Sequence, residues 1–270
     1  MSPARVDAAD IPGWQGQAIA GLLPALYARF PDAPRVGVGG SVATASVDRL
    51  SDLDLIVVSD ELPDAAGDLT MATAAGPVWS VDRHEDVDAR TLRLVYTDGR
   101  RIDLLLRTTN SVLPEPLLWL DSAVLPPHQL VLPGPPVQPD PARAEVLAAR
   151  HVAALAAAKL GRGDLLIGAH LCLDVARQAL VVSMLLRDLE SGRTSHHHGS
   201  RRDHDAHRVA KALSGLPAEA DPQDWLDLLL RLIDAFDSAA GALWPDHESD
   251  WQGLDAIVVA ARTALADPSE

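Results

Sequence analysis

Asp52 and Asp54 stand one residue apart where an apolar run begins, in the stretch GGSVATASVDRLSDLDLIVVS of residues 39–59. Side chains in an extended strand alternate between faces. The two carboxylates therefore project to one side, about 7 Å apart, while Leu53 and Leu55 project to the other. Like charges at that spacing repel unless something positive lies between them, and hard oxygen donors suit Mg²⁺. A third acid, Asp103, sits inside the apolar run of RRIDLLL, where a carboxylate is costly to bury without a partner. If its strand lies beside the first, the three acids form one metal-binding cluster.

Ten residues before Asp52 comes the turn Gly39-Gly40-Ser41. Glycine lets backbone amides approach a ligand closely, and a helix starting there would favour an anion, with the Ser41 hydroxyl as a further donor. The sequence therefore carries a phosphate cradle beside a carboxylate trio, a combination suited to a nucleoside triphosphate and its Mg²⁺. Other readings of these residues are weaker. An Asp-x-Asp pair alone is also what a solvated strand end looks like, and Asp103 could form an ion pair with Arg100, Arg101 or Arg107. The turn reads as G-x-S-x-A, close to a hydrolase nucleophile elbow with His128, His151 or His170 as base. That alternative leaves all three aspartates unexplained. GVGG lacks the third glycine of a dinucleotide fingerprint, and no GK[ST] follows it for a P-loop.

The elements that position these residues divide the chain in two. In the first part, an amphipathic helix is expected over residues 15–30, ended by Pro31 and Pro34. Strands are expected over 35–39, 53–59, 77–81, 91–96 and 102–106, with a hairpin turn at Asp98-Gly99. A short helical stretch follows Ser41. Residues 125–141 contain seven prolines, a density that makes a stiff extended connector. The expected domains are thus 1–125, a linker over 126–140, and an all-helical domain over 141–270. Within the last, Asp140-Pro141 opens a helix ending near Gly161, Gly163 or Asp164 opens one ending at Gly192, Asp221-Pro222 opens another, and 249–266 makes the last. The fold class is α+β: an α/β domain with a small mixed sheet, then a helical bundle.

Formal net charge is −15, which repels nucleic acid and favours cationic ligands. A mean hydropathy of +0.05 suits a globular chain, and no apolar stretch is read as a membrane span. The single cysteine, Cys172, excludes an internal disulfide framework, and the residues from Met1 lack a secretory pattern. A cytoplasmic protein is expected, with no membrane partner. His196, His197 and His198, followed by His204 and His207, read as a polar loop without ligand spacing. Trp225, Trp244 and Trp251 read as core or interface, and Asp164 as a helix cap.

Gly-Ser, ten intervening residues, Asp-x-Asp and a later apolar-flanked Asp together resemble the DNA polymerase β-like nucleotidyltransferase superfamily over residues 30–110. The helical part, with the segment KLGRGD, resembles the lincosamide and aminoglycoside adenylyltransferases. The resemblance implies that Gly40 and Ser41 bind phosphate and that Asp52 and Asp54 ligate metal. It implies that Asp103 ligates a second ion or takes the acceptor proton, and that Lys159 meets the triphosphate. The implied reaction is transfer of a nucleoside monophosphate, from ATP or another nucleoside triphosphate, to a hydroxyl of a small acceptor such as an antibiotic. Two Mg²⁺ ions would assist and pyrophosphate would leave. A protein-modifying antitoxin of the same superfamily and a non-catalytic nucleotide-binding module are alternatives. A homodimer stays open, since relatives build their site across one.

Overall fold

The computed structural model describes residues 5–30, 34–63, 65–120, 141–192, 206–215 and 219–267. The chain falls into two compact units, Met1–Gln138 and Pro139–Glu270. The proline-rich segment expected as a linker lies outside the described residues, apart from Pro141, and so does the loop over 193–205 with His196, His197 and His198.

The first unit is built on a seven-stranded mixed sheet, larger than the small sheet expected. Its strands are β1 (Arg5–Val6), β2 (Arg35–Val38), β3 (Leu53–Ser59), β4 (Val78–Asp86), β5 (Ala89–Tyr96), β6 (Arg101–Thr108) and β7 (Leu118–Leu120). The order across the sheet is β1-β7-β2-β3-β6-β5-β4. β3 and β6 run parallel at its centre, and β6, β5 and β4 form an antiparallel meander. The two additions, β1 and β7, pair with each other, and β7 extends the sheet past β2.

Helix α1 (Gly13–Arg29) covers one face. Ile19, Leu22 and Leu26 are fully buried among Leu53, Leu55 and Val57 of β3 and Ile102, Leu104 and Leu106 of β6. Each such leucine contributes about 1.5–3 kcal/mol by leaving water. Pro24 lies inside α1, although proline removes an interior helical hydrogen bond. Alternation then sends Asp52, Asp54 and Asp103 to the opposite face, where Ile56, Val58 and Trp119 form a smaller cluster. The short helix α3 (Asp68–Ala72) is pinned to β5 by a buried ion pair, Arg90 Nη1 to Asp68 Oδ2 at 2.7 Å.

The described elements of the second unit are all helices: α4 (Pro141–Gly161), α5 (Leu165–Ser191), α6 (Ala206–Leu213), α7 (Pro222–Leu243) and α8 (Gln252–Ala266). Their ends follow local chemistry. Asp164 caps α5 by accepting from the Ile167 amide, and Gly192 closes it in the left-handed region at φ 61°. Asp221 and Asp224 form a capping box ahead of α7, with Pro222 in its first turn. α8 starts at Gln252, three residues later than expected. α6 takes His207 into a helix where a loop was expected.

α5 is the longest helix among the described residues. Leu165–Glu190 is long and apolar enough to cross a membrane by length and composition, its most apolar 18 residues having a mean hydropathy of 1.6. Cys172, Val175, Ala179 and Val182 of this helix are buried within the unit, while Leu166, Leu173 and Leu189 are exposed. Asp174 and Arg177 pair across one turn in its middle. Trp251 anchors the start of α8: its ring meets Phe236 edge-on, and its indole N–H donates to Asp237 at 3.1 Å. Cys172 is buried and forms no disulfide.

Candidate active site

The geometry begins with the register of the central parallel pair. Asp54 of β3 lies directly beside Asp103 of β6, so the two carboxylates leave adjacent strands on the same face. Asp52 precedes β3 by one residue and acts electrostatically on both. The Asp54 carboxyl is pushed up to about 6, first by burial and then by the Asp52 charge, against the pull of Arg101. Asp103 is pushed up to about 7, by burial and then by Asp52 and Asp54, against Arg93 and Arg101. Such upward shifts mark negative charges crowded together out of water.

The glycine turn joins this cluster from the end of β2. The Gly39 amide donates to the Asp54 carbonyl at 3.0 Å, tying the turn to β3. Gly40 adopts φ +53°, and a Cβ there would stand 1.9 Å from Asp54 Oδ2. No side chain fits between the turn and the carboxylate. The following helix α2 (Gly40–Ala43) is a single turn, shorter than the stretch expected. Thr44 closes it by donating its hydroxyl to the Gly40 carbonyl at 3.0 Å, and residues 44–52 are irregular. An anion at this turn would therefore meet close backbone amides rather than the dipole of a long helix. Ser41 Oγ is buried and finds no hydrogen-bond partner among the described residues. A buried hydroxyl left in that state is costly unless a ligand completes it.

Arginine pairing departs from expectation. Arg100 pairs with Asp98 at 2.7 Å, Arg107 donates to the Arg90 carbonyl, and Arg101 lies 3.8 Å from Asp52. The arginine beside Asp103 is Arg93, with Nε 3.8 Å from Asp103 Oδ2. It sits opposite Asp103 on β5 and also pairs with Asp82 of β4 at 3.2 Å. One row across four strands thus reads Asp54, Asp103, Arg93, Asp82. Arg93 is the neighbour of the cluster that sequence reasoning missed; Arg101, one of the three arginines expected near Asp103, lies against Asp52 as well. Strand alternation marks Arg101, two residues from Asp103, as sharing its face; Arg93 needs the exact length of the hairpin loop.

Lys159 lies in the last turn of α4, in the second unit. Asp164 is a helix cap, as expected.

Among the described residues, no group of three or more His, Cys, Asp or Glu side chains converges tightly enough to hold a metal ion unaided. Mg²⁺ does not demand such a cage. It keeps several waters and takes one or two carboxylates together with substrate phosphates. The adjacent, mutually repelling Asp54 and Asp103, with Asp52 nearby, fit that kind of site.

No family model matches the sequence, and no curated protein matches it significantly. An aminoglycoside 6-adenyltransferase from Bacillus subtilis is similar in structure at 10% identity and a TM-score of 0.31, over 95% of this chain and 100% of that one. A CdnE cyclic dinucleotide synthase from Elizabethkingia meningoseptica, solved with GTP and Apcpp, is similar at 13% identity and a TM-score of 0.27, over 100% of this chain and 96% of that one. Likenesses this distant carry no argument about fold or activity.

Proposed function

We propose that the chain is a Mg²⁺-dependent nucleotidyltransferase. It transfers a nucleoside monophosphate, from ATP, to a hydroxyl of a small molecule of the aminoglycoside or lincosamide kind. The observation that carries this reading is the lateral pairing of Asp54 with Asp103, with the Gly39-Gly40-Ser41 turn closed against Asp54.

Asp52, Asp54 and Asp103 would hold the metal. Bound there, Mg²⁺ would offset charge on the triphosphate and on the oxygens entering and leaving phosphorus. The Gly40-Ser41 turn would bind phosphate through its amides and the unpartnered Ser41 hydroxyl. The acceptor oxygen attacks the α-phosphorus, the bond to the bridging oxygen breaks, and pyrophosphate leaves with that electron pair. Asp103 would ligate a second ion or take the acceptor's proton, the two roles that the family resemblance implies for it. Lys159 is assigned to the triphosphate by family resemblance alone. A net charge of −15 favours a cationic acceptor, which points to aminoglycosides ahead of lincosamides.

The test is pyrophosphate release from Mg-ATP across a panel of both antibiotic classes. Turnover with at least one acceptor, lost in chelator and in Asp54→Asn, is the expected result. ATP binding without turnover for any acceptor would favour the non-catalytic module.

A further inference from the structure

Arg101 opens β6 two residues before Asp103, so both side chains leave the strand on one face. It is only 8% exposed. A guanidinium this deep requires partners. Nη2 donates to the Leu50 carbonyl at 2.6 Å and lies 3.8 Å from Asp52 Oδ2. The register explains the contact: Leu53 pairs with Ile102, and one step earlier the same offset sets Asp52 level with Arg101. Asp52 stands outside the β3 ladder, at the end of the irregular stretch 44–52. That stretch is knitted internally, the Leu50 amide donating to Asp48 Oδ1 at 2.7 Å. The Leu50 carbonyl joins it to β6 through Arg101. The Arg101 charge also acts on the other two carboxylates, opposing the upward shifts of Asp54 and Asp103. Arg93 also faces Asp103, but its side chain is 48% exposed, and exposed ion pairs contribute little.

We infer that Arg101 is a positioning residue: it holds Asp52 on the face shared with Asp54 and Asp103 and serves as the cluster's built-in counter-cation until a metal arrives. The second task rests on the metal-binding reading above. A structural arginine that merely satisfied the Leu50 carbonyl would be indifferent to the charge of Asp52 and to metal.

The test is thermal unfolding of the full chain, in chelator and in saturating Mn²⁺ without nucleotide. The proteins compared are wild type, Arg101→Met, Asp52→Asn and the double variant. In chelator, Arg101→Met should lower Tm by roughly 5–10 °C, because it removes the buried cation that faces three half-buried carboxylates. Mn²⁺ should restore most of that loss, so the variant's Mn²⁺ shift exceeds the wild-type shift. Asp52→Asn in the Arg101→Met background should recover at least half of the loss without metal. An equal loss with and without Mn²⁺, unrelieved by Asp52→Asn, overturns the inference. If wild type shows no Mn²⁺ shift, the metal reading has failed instead, and the Asp52→Asn arm still decides whether Arg101 balances charge. Should Arg101→Met not fold, the double variant decides: folding supports charge balance, and failure to fold overturns it.

Discussion

Replacing Gly40 with alanine removes no functional group, yet it should disable the site. At φ +53° the alanine backbone enters the left-handed region, at a cost of about 1–2 kcal/mol. The new Cβ would stand 1.9 Å from Asp54 Oδ2, where real contacts do not fall below 3.0 Å, so one of them must retreat by about 1 Å. The turn cannot easily give, because the Gly39 amide is bonded to the Asp54 backbone carbonyl. The carboxylate therefore swings away from Asp103. A 1 Å misplacement of a reacting or ligating group can cost about 100-fold in rate. Gly39→Ala is the matched control: its Cβ would come no closer than 3.3 Å to Ile56 Cδ1, with Asp54 Cβ at an ordinary 3.6 Å and an extended φ of −112°. Acceptor-dependent pyrophosphate release, with circular dichroism as the check on folding, should show Gly40→Ala slowed about 100-fold and Gly39→Ala within a few-fold of wild type. A folded Gly40→Ala enzyme with the wild-type rate would refute the claim that the turn and Asp54 form one site.

Other expectations follow from the same geometry. Asp54→Asn and Asp103→Asn should each lower kcat by at least about 100-fold while leaving metal-free Tm unchanged or raised, since each relieves repulsion; a fall in Tm would argue that the carboxylate is a structural ion-pair partner. Folding raises Asp54 to about 6 and Asp103 to about 7 from 3.8, so their charged forms oppose folding. That penalty is full above about pH 7 and fades as pH falls toward 4. Metal-free wild type should therefore gain stability between about pH 8 and pH 5 relative to the Asp54→Asn/Asp103→Asn double variant, in denaturant titrations at each pH. Asp68, also raised to about 6, is common to both proteins and cancels. Asp221→Ala removes the capping box of α7 and should cost about 1 kcal/mol in chemical denaturation with no change in KM. Lys159→Met should raise KM for ATP about tenfold with kcat little changed; an unaltered KM would remove Lys159 from the triphosphate site.

The parts legible in the sequence are those fixed by local pattern. β3 was readable because the apolar run LIVV follows Asp54, and β6 because Asp103 interrupts an apolar run. The acids stood out because the residues around them, Leu53, Leu55, Ile56, Ile102 and Leu104, are apolar and buried. α5 and α7 were marked by their caps, Asp164, Gly192 and Asp221. What escaped notice depends on distant pairing. β1 and β7 are two and three residues long, too short for periodicity, and exist through partners far along the chain. The neighbour of Asp103 turned on one residue of loop length. The Tyr96 amide donates to the Arg100 carbonyl, so the loop holds Thr97, Asp98 and Gly99, with Gly99 at φ +83°. A two-residue turn at Asp98-Gly99 would have set Leu94 opposite Asp103, and the three-residue loop sets Arg93 there. The helix after Ser41 stops at Ala43 because Thr44 and Ser46 take over its carbonyls, a local competition that periodicity does not register.

The most direct measurement is an anomalous-difference map from crystals grown with Mn²⁺ and a non-hydrolysable ATP analogue. A Mn²⁺ peak bridged by Asp54 and Asp103 is expected, with analogue phosphate on the Gly40-Ser41 turn. An analogue bound elsewhere, or bound at the turn with no Mn²⁺ between those two carboxylates, would contradict that expectation.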